Sequence, residues 1–135
     1  MNTVKKSQSE SKSGRVKSFP EYLSEIQEQT EIYQFDGTEE KPLAEELCNV
    51  MAKVMCLPDG FKISVNSQKL DAVNVREVFK QIRYKHICHV IDKFSNIDYP
   101  VKHITSYLRT ALYNSVDEAE HSIVNEVNRW MKNDK

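Results

Sequence analysis

The sequence predicts a mainly α-helical fold, a compact bundle of about five to six helices with one short β-hairpin over residues 61–70. Apolar residues recur every three to four positions in most segments, which is typical of helices that bury one face. Three segments follow Ser or Asn with Glu three positions later, the pattern of a helix N-cap. One stretch alternates apolar and polar residues as a strand does. We therefore expect a single helical domain over residues 18–131.

The first helix is predicted to begin at a capping box formed by Ser18 and Glu21. We expect it to run until Asp36-Gly37, and its inner side is predicted to carry Tyr22, Leu23, Ile26 and Tyr33. A second helix is expected from Pro42, because the fixed φ of proline suits a first turn. The strongest helical periodicity of the chain follows and predicts a core helix with Leu43, Leu47, Val50, Met51, Val54 and Met55 inside.

The hairpin is predicted where Leu57-Pro58-Asp59-Gly60 interrupts this helix. Residues 61–65 alternate apolar and polar side chains, Asn66-Ser67 can form a turn, and residues 68–70 can return as a second strand.

Two helices are predicted after the hairpin. Asn74 and Glu77 form a looser capping box, with Val73 and Val78 placed for a hydrophobic staple across it. The first of these helices is predicted to bury Val75, Val78, Phe79 and Ile82. The second is predicted to bury Ile87, Val90, Ile91 and Phe94 and to close over residues 95–98.

The C-terminal part predicts two further helices. Pro100 is expected to open the first, and Asn114 to end it in the left-handed conformation. Its predicted inward residues are Val101, Ile104, Leu108, Ala111 and Leu112. Ser115 and Glu118 form a third capping box. It predicts a final helix that carries Ala119, Ile123, Val127 and Trp130 inward.

Composition narrows the class of protein. The net charge of the 135 residues is -1, so the balance of the whole chain favours neither nucleic acid nor a membrane as a partner. Residues 19–60 carry ten acidic and two basic side chains, whereas residues 61–109 carry four and nine. Residues 1–17 are predicted to be a disordered basic tail, because they hold few apolar groups. With no long apolar run and no signal-peptide pattern, we expect a cytoplasmic protein with reduced thiols.

Two segments carry a family resemblance. Residues 86–92 read His-Ile-x-x-Val-Ile-Asp and residues 104–114 read Ile-x-x-Tyr-Leu-x-Thr-Ala-Leu-Tyr-Asn, with Glu126-Val127-Asn128 closing the pattern. Over residues 20–130 the chain resembles the C-terminal domain of replication initiator protein A, found in plasmids and integrative elements of Gram-positive bacteria. That domain is similar to the helical domain of DnaD-type replisome organisers.

The resemblance implies a role in DNA replication. It implies a non-catalytic interaction module that recruits host replisome components, with a helicase loader or a similar host replication protein as partner. In this family an N-terminal winged helix recognises origin DNA. Only the basic tail precedes Ser18 here, so we do not expect sequence-specific origin binding to carry over.

The basic side chains near these segments form the predicted binding surface. Arg76, Lys80 and Arg83 lie at i, i+4 and i+7, and Lys102 and Arg109 lie at i and i+7, so each set is predicted to share a helical face. Such faces could neutralise phosphates, with tyrosines stacking on unpaired bases; the alternative is an ordinary solvated face. The predicted partner or nucleic-acid surface comprises Arg76, Lys80, Arg83, Lys85, Lys102, Tyr107 and Arg109.

Other candidate sites favour structural interpretations. Tyr113 and Asn114 are predicted to be a structural signature, the tyrosine half-buried and the asparagine a helix cap. His86, Cys88 and His89 invite a metal site, but no second Cys/His pair stands at zinc-finger spacing, so we predict no metal and no cofactor. No phosphate-binding glycine loop or hydrolase motif occurs, so we predict neither enzyme activity nor a small-molecule substrate.

Two functional alternatives remain open beside the recruitment module. One is weak binding of single-stranded DNA by the basic residues. The other is a stand-alone mobile-element protein that binds and inhibits a host protein such as a defence nuclease, because an inhibitor needs only a surface.

Overall fold

The computed structural model describes the backbone of residues 17–133 and the side chains of residues 17–120. Within this range lie five α-helices, one two-stranded sheet and a 3₁₀ turn, so the predicted mainly α fold with one hairpin is confirmed. The helices are α1 (Phe19–Gln29), α2 (Lys41–Met55), α3 (Ala72–Phe79), α4 (Tyr84–Ser95) and α5 (Ile104–Asn133), the strands are β1 (Lys62–Val65) and β2 (Gln68–Asp71), and the 3₁₀ turn is Ile32–Phe35. The predicted tail, apart from Lys17, lies outside the described residues.

Helix α2 is the centre of the core and contacts each of the other four helices. The helical periodicity of apolar residues predicted for this helix is confirmed, because four of them are buried: Leu47, Val50, Met51 and Val54. The largest fully buried side chains of the surrounding helices complete this core, and they include Phe79, Ile87, Val90, Leu108 and Leu112.

Helix α1 begins as predicted and ends earlier than predicted. The Ser18 N–H donates to the Glu21 carboxylate at 2.8 Å, and the Glu21 N–H donates to the Ser18 hydroxyl at 3.4 Å. The helix stops at Gln29, and Glu31 adopts a left-handed backbone with φ 54°. The 3₁₀ turn that follows buries Phe35, whereas Tyr33 is 63% exposed, so the inward position predicted for Tyr33 is wrong.

Helix α3 begins before its predicted cap. It starts at Ala72, directly after β2, because the Ala72 N–H donates to the Phe61 carbonyl at 2.8 Å and the sheet thereby sets the first turn. Asn74 therefore lies inside the helix, and Val73 is exposed, so neither the capping box nor the staple is formed as predicted. At the other end, the Gln29 side-chain amide donates to the Phe79 and Ile82 carbonyls at 3.1 and 2.7 Å and satisfies groups that a helix end leaves free.

The hairpin follows the prediction closely. Strands β1 and β2 pair antiparallel from Lys62 opposite Asp71 to Val65 opposite Gln68. Asn66 and Ser67 both have positive φ, 56° and 63°, as a two-residue turn of type I′ requires.

Helix α5 corrects the predicted end of the chain. It begins at Ile104 rather than at Pro100 and continues without interruption through Asn114 to Asn133. The left-handed end at Asn114 and the third capping box are therefore wrong. Ser115 is buried and its hydroxyl donates to the Leu112 carbonyl at 2.6 Å, inside the helix.

The physical reason is packing. Leu112, Ser115 and Ala119 are all buried on α5, whose main helical neighbour is α4, so burial of a continuous face outweighs a local cap signal. The positions predicted inward at Ile123, Val127 and Trp130 concern side chains outside the described ones.

Candidate interaction groove at the start of helix α5

The string of residues 107–114 in α5 holds the hairpin against this helix through hydrogen bonds. The Asn66 backbone N–H donates to the Thr110 hydroxyl at 3.1 Å. The side-chain amides of Asn66 and Asn114 donate to each other's oxygens, both at 3.0 Å. Nearby, Arg109 Nε donates to the Ser64 carbonyl at 3.1 Å. These four contacts hold the turn of the hairpin against one face of the helix.

This arrangement gives Asn114 a different task from the predicted cap. The residue sits in the middle of α5 and reaches across to the hairpin turn. Tyr113 is half-buried and packs against the hydrophobic core. The polar residues of the string thus position one element on another, which sequence spacing could not show because Asn66 lies 48 residues away.

An open groove of about 730 Å³ lies beside this contact. One wall is the hairpin turn with Ser64, Asn66 and Ser67; the other is the loop of residues 99–103. Ser106, Tyr107 and Thr110 line it from the first turns of α5. We refer to it as the α5 groove.

The α5 groove has a positive and partly apolar character. Lys102 and His103 are exposed, and neither forms an ion pair or a side-chain hydrogen bond with another described residue. The described residues that line the groove include no aspartate or glutamate. The N-terminal end of α5 adds partial positive charge at the same place. Tyr99, which lines the groove, is a large side chain left 61% exposed.

Tyr107 forms a firm wall of the groove. Its ring packs on Phe94 of α4, with the ring centroids 5.9 Å apart and the planes tilted by 53°. Burial raises the pKa of its hydroxyl above the ordinary value. The half-buried ring is thus held in place before any partner arrives.

Four of the predicted surface residues lie elsewhere, at a place we call the α3–α4 corner (residues 76–86). The Arg76 guanidinium donates to the Leu57 carbonyl and pairs with Asp59, and its side chain is only 15% exposed. Lys80 pairs with Glu77 at 2.9 Å. Because α3 ends at Phe79, the helical face predicted for Arg76, Lys80 and Arg83 is not formed.

The rest of the corner is also occupied by internal contacts. The Arg83 guanidinium donates to the Lys80 and Ile82 carbonyls at 2.7 and 3.1 Å, which lie just beyond the end of α3. The Arg83 N–H donates to His86 Nδ1 at 2.8 Å at the start of α4. Burial, followed by the nearby charge of Lys85, lowers the pKa of His86. Lys85 pairs with Glu120 of α5 at 3.4 Å.

Lys102 and Arg109 do not share a helical face either. Lys102 precedes the first turn of α5, so one helix does not carry both residues and their spacing of i and i+7 does not place them on a shared face. Arg109 is partly buried between α5 and β1, where it contacts Ser64 and Ser106. Of the seven predicted surface residues, the structure brings Lys102 and Tyr107 together in the groove and places Arg109 beside it.

The histidines suggested as metal ligands have other partners. His86 is buried and accepts from Arg83, while His89 Nε2 lies 3.1 Å from the Glu118 carboxylate, which also accepts from Lys93 at 3.0 Å. Burial works to raise the pKa of Glu118, but the hydrogen bonds from Lys93 and His89 outweigh it and lower the pKa. In the part of the chain that the structure describes, no three His, Cys, Asp or Glu residues lie close enough to hold a metal ion. Cys48, Cys56 and Cys88 are free thiols.

Sequence reasoning missed Tyr99 and His103 as groove residues. Tyr99 stands between two helices, outside every apolar periodicity and directly before Pro100. A large aromatic residue in such a polar connection has no core role to fill, and this position is the signal that could have marked it.

Comparisons with known proteins do not assign the chain to a family. No protein-family model matches it, and neither a curated protein nor a solved structure does so. Across the described helices, none combines the length and apolar character needed to cross a bilayer.

Proposed function

We propose that this protein is a non-catalytic interaction module of a DNA-replication initiator, and that it recruits a host replication protein such as a helicase loader. The proposal takes its functional class from the resemblance of residues 86–92 and 104–114 to initiator C-terminal domains. The α5 groove is the proposed contact surface.

We choose this surface because it holds a basic side chain without a carboxylate partner among the described residues, whereas the other predicted basic side chains have partners. Arg76, Lys80 and Lys85 have carboxylate partners within the protein. Lys102 has no such partner among the described residues, and Tyr99 beside it is largely exposed. Tyrosine is enriched at the centres of protein interfaces, and charged side chains around such a centre orient the partner and speed its association.

The alternative of single-stranded DNA binding loses support from the same contrast. Affinity for DNA grows with the number of phosphates neutralised by free basic side chains. The ion pairs at the α3–α4 corner engage Arg76, Lys80 and Lys85, which were predicted to supply that charge.

Binding to purified host replication proteins tests the proposal. We would immobilise the helicase loader, the replicative helicase and the primase in turn, and measure binding of the wild type, Tyr99→Ala and Lys102→Glu. At least one of these proteins should bind the wild type, and each groove variant should bind it roughly tenfold more weakly or worse, as expected for central interface residues.

Lys53→Glu is the matched control. Lys53 is exposed on α2, is not among the groove residues and forms no ion pair with another described residue, so its reversal changes net charge equally without touching the groove. Binding of none of the three proteins would overturn the recruitment function. If Lys53→Glu weakened binding as much as the groove variants do, the groove would not be the contact surface.

A further inference from the structure

We propose that the α5 groove accepts a short acidic segment of the partner, in which carboxylates flank one aromatic or large aliphatic side chain. This inference rests on the proposed function and names the chemistry that the same surface would recognise.

Charge is the first argument. Seven basic side chains of the described region pair with a carboxylate: Lys17, Lys41, Lys62, Arg76, Lys80, Lys85 and Lys93. Lys102 has no such pair among the described residues, and the described residues that line its concave surface include no carboxylate. The nearest carboxylate along the chain, Asp98, is not among the lining residues. A carboxylate of a partner would therefore meet a positive charge that no carboxylate of the described residues pairs with.

The apolar surface around Lys102 is the second argument. Tyr99 and Val101 precede it and both line the groove; Tyr99 keeps a large exposed area and Val101 is half-buried. A single apolar side chain inserted here would remove water from these groups, which is favourable in proportion to the area covered. Acidic residues on either side of that anchor would lie within reach of Lys102 and of the first turn of α5.

Rigidity is the third argument. Asn66 is bound to Thr110 and Asn114, and Tyr107 is packed on Phe94, so the hairpin turn and the side of the groove formed by α5 are fixed in advance. A preformed site loses less conformational entropy when it binds an extended segment.

A peptide fits this groove better than a nucleic-acid strand does. A strand carries a phosphate at every nucleotide and requires a series of free cations along its path. Among the described residues that line the groove, Lys102 is the one lysine, and at the α3–α4 corner Arg76 and Lys80 are in ion pairs.

Fluorescence anisotropy on the full chain can test the inference with four labelled probes. They are a peptide with two aspartates on each side of a tryptophan, the same peptide with lysine in place of aspartate, the same peptide with alanine in place of tryptophan, and oligodeoxythymidine. The acidic tryptophan peptide should bind most tightly. Lys102→Glu and Tyr99→Ala should each weaken that binding by about tenfold, as for a central interface residue.

Lys69→Glu provides the control, because Lys69 is exposed on β2, unpaired among the described residues and not part of the groove lining. It should bind the peptide as the wild type does, and thermal unfolding would show that all variants are folded. Equal affinity for the acidic and lysine peptides, or undiminished binding by Lys102→Glu, would overturn the inference. Tight binding of oligodeoxythymidine that is lost in Lys102→Glu would overturn it in favour of a nucleic-acid site.

The two proposals can fail separately. If a replication protein binds through the groove but the acidic peptide does not bind, the proposed function stands and the inferred acidic ligand is wrong. If the acidic peptide binds through the groove but no replication protein binds, the inferred acidic ligand stands and the proposed function is wrong.

Discussion

The α3–α4 corner and the α5 groove are similar in composition and differ in the partners of their side chains. Both are rich in basic and aromatic side chains, and the sequence presents them as parts of one surface. At the corner, Arg76 and Lys85 are engaged by internal carboxylates, and Arg83 is engaged by backbone carbonyls. At the groove, Lys102 has no described partner and Tyr99 is mostly exposed. The number of basic residues in a segment therefore does not show how many of their charges remain available to a binding partner.

The difference has an energetic consequence. Side chains at the corner contribute to folding because they satisfy carbonyl groups and carboxylates within the protein. Lys102 and Tyr99 at the groove contribute little to folding, because neither has an ion pair or a side-chain hydrogen bond with another described residue. We therefore expect substitution of Arg76 at the corner to change stability, and substitution of Lys102 or Tyr99 at the groove to change binding.

The largest expected effect on stability comes from Arg76→Ala. This change leaves the partly buried Leu57 carbonyl without its donor, and we expect the free energy of unfolding to fall by about 1–3 kcal/mol. Urea denaturation measures it. Two comparisons sharpen the result: Lys80→Ala removes an exposed ion pair, and Lys102→Ala removes a groove residue. Each should stay within about 0.5 kcal/mol of the wild type. A loss at Lys102 as large as that at Arg76 would break the comparison.

A smaller effect is expected at the hairpin contact that forms one wall of the groove. The reciprocal amide pair predicts a coupling energy of about 0.5–1 kcal/mol between Asn66→Ala and Asn114→Ala in a double-mutant cycle. Hydrogen exchange should show faster exchange of the hairpin amides in Asn114→Ala, with α2 unchanged. Strictly additive effects of the two substitutions would contradict a direct contact between the amides.

The smallest effect on stability is a pH dependence located at the corner. The pKa of His86 is lowered in the folded protein because the ring is buried, so the unfolded chain binds the proton more readily. Stability should therefore fall as the pH drops below the unfolded value of about 6.5 and level off below the folded pKa. The pKa of Glu118 is lowered in the folded protein, so its ionised carboxylate contributes to stability above the unfolded pKa. This contribution is lost at lower pH, as the pH falls through the folded pKa.

The His86→Gln variant isolates the first of these effects. Glutamine cannot titrate, yet it keeps an acceptor for the Arg83 N–H. Chemical unfolding between about pH 7.5 and 5.5 should show a flatter dependence for the variant than for the wild type. Parallel curves would mean that another group is responsible.

Much of the fold could be predicted because local signals agreed with tertiary packing. The Ser18–Glu21 capping box, the apolar face of α2 and the Asn66-Ser67 turn each depend on residues close in sequence, and each is confirmed. The wrong predictions were also local signals. Asn74 and Ser115 have the pattern of helix caps, but pairing of the Ala72 N–H with Phe61 and burial on α5 decide those boundaries.

The candidate site was less predictable than the fold. Tyr107 and Lys102 were chosen from the sequence and do line the groove, whereas Tyr99 and His103 were missed because they lie outside any periodic pattern. The spacing argument for the basic faces failed because α3 ends at Phe79 and α5 begins at Ile104. Helical spacing predicts a shared face only where one uninterrupted helix carries all the residues.

By itself, the sequence determined the mainly α class, the central helix and the hairpin, because hydrophobic period and turn chemistry are properties of neighbouring residues. Only the tertiary structure decided which cations are free and what the residues of the 107–114 string contact. Asn66 meets Asn114 across 48 positions, and Lys85 meets Glu120 across 35. Such pairings depend on how the helices pack, which no local pattern records.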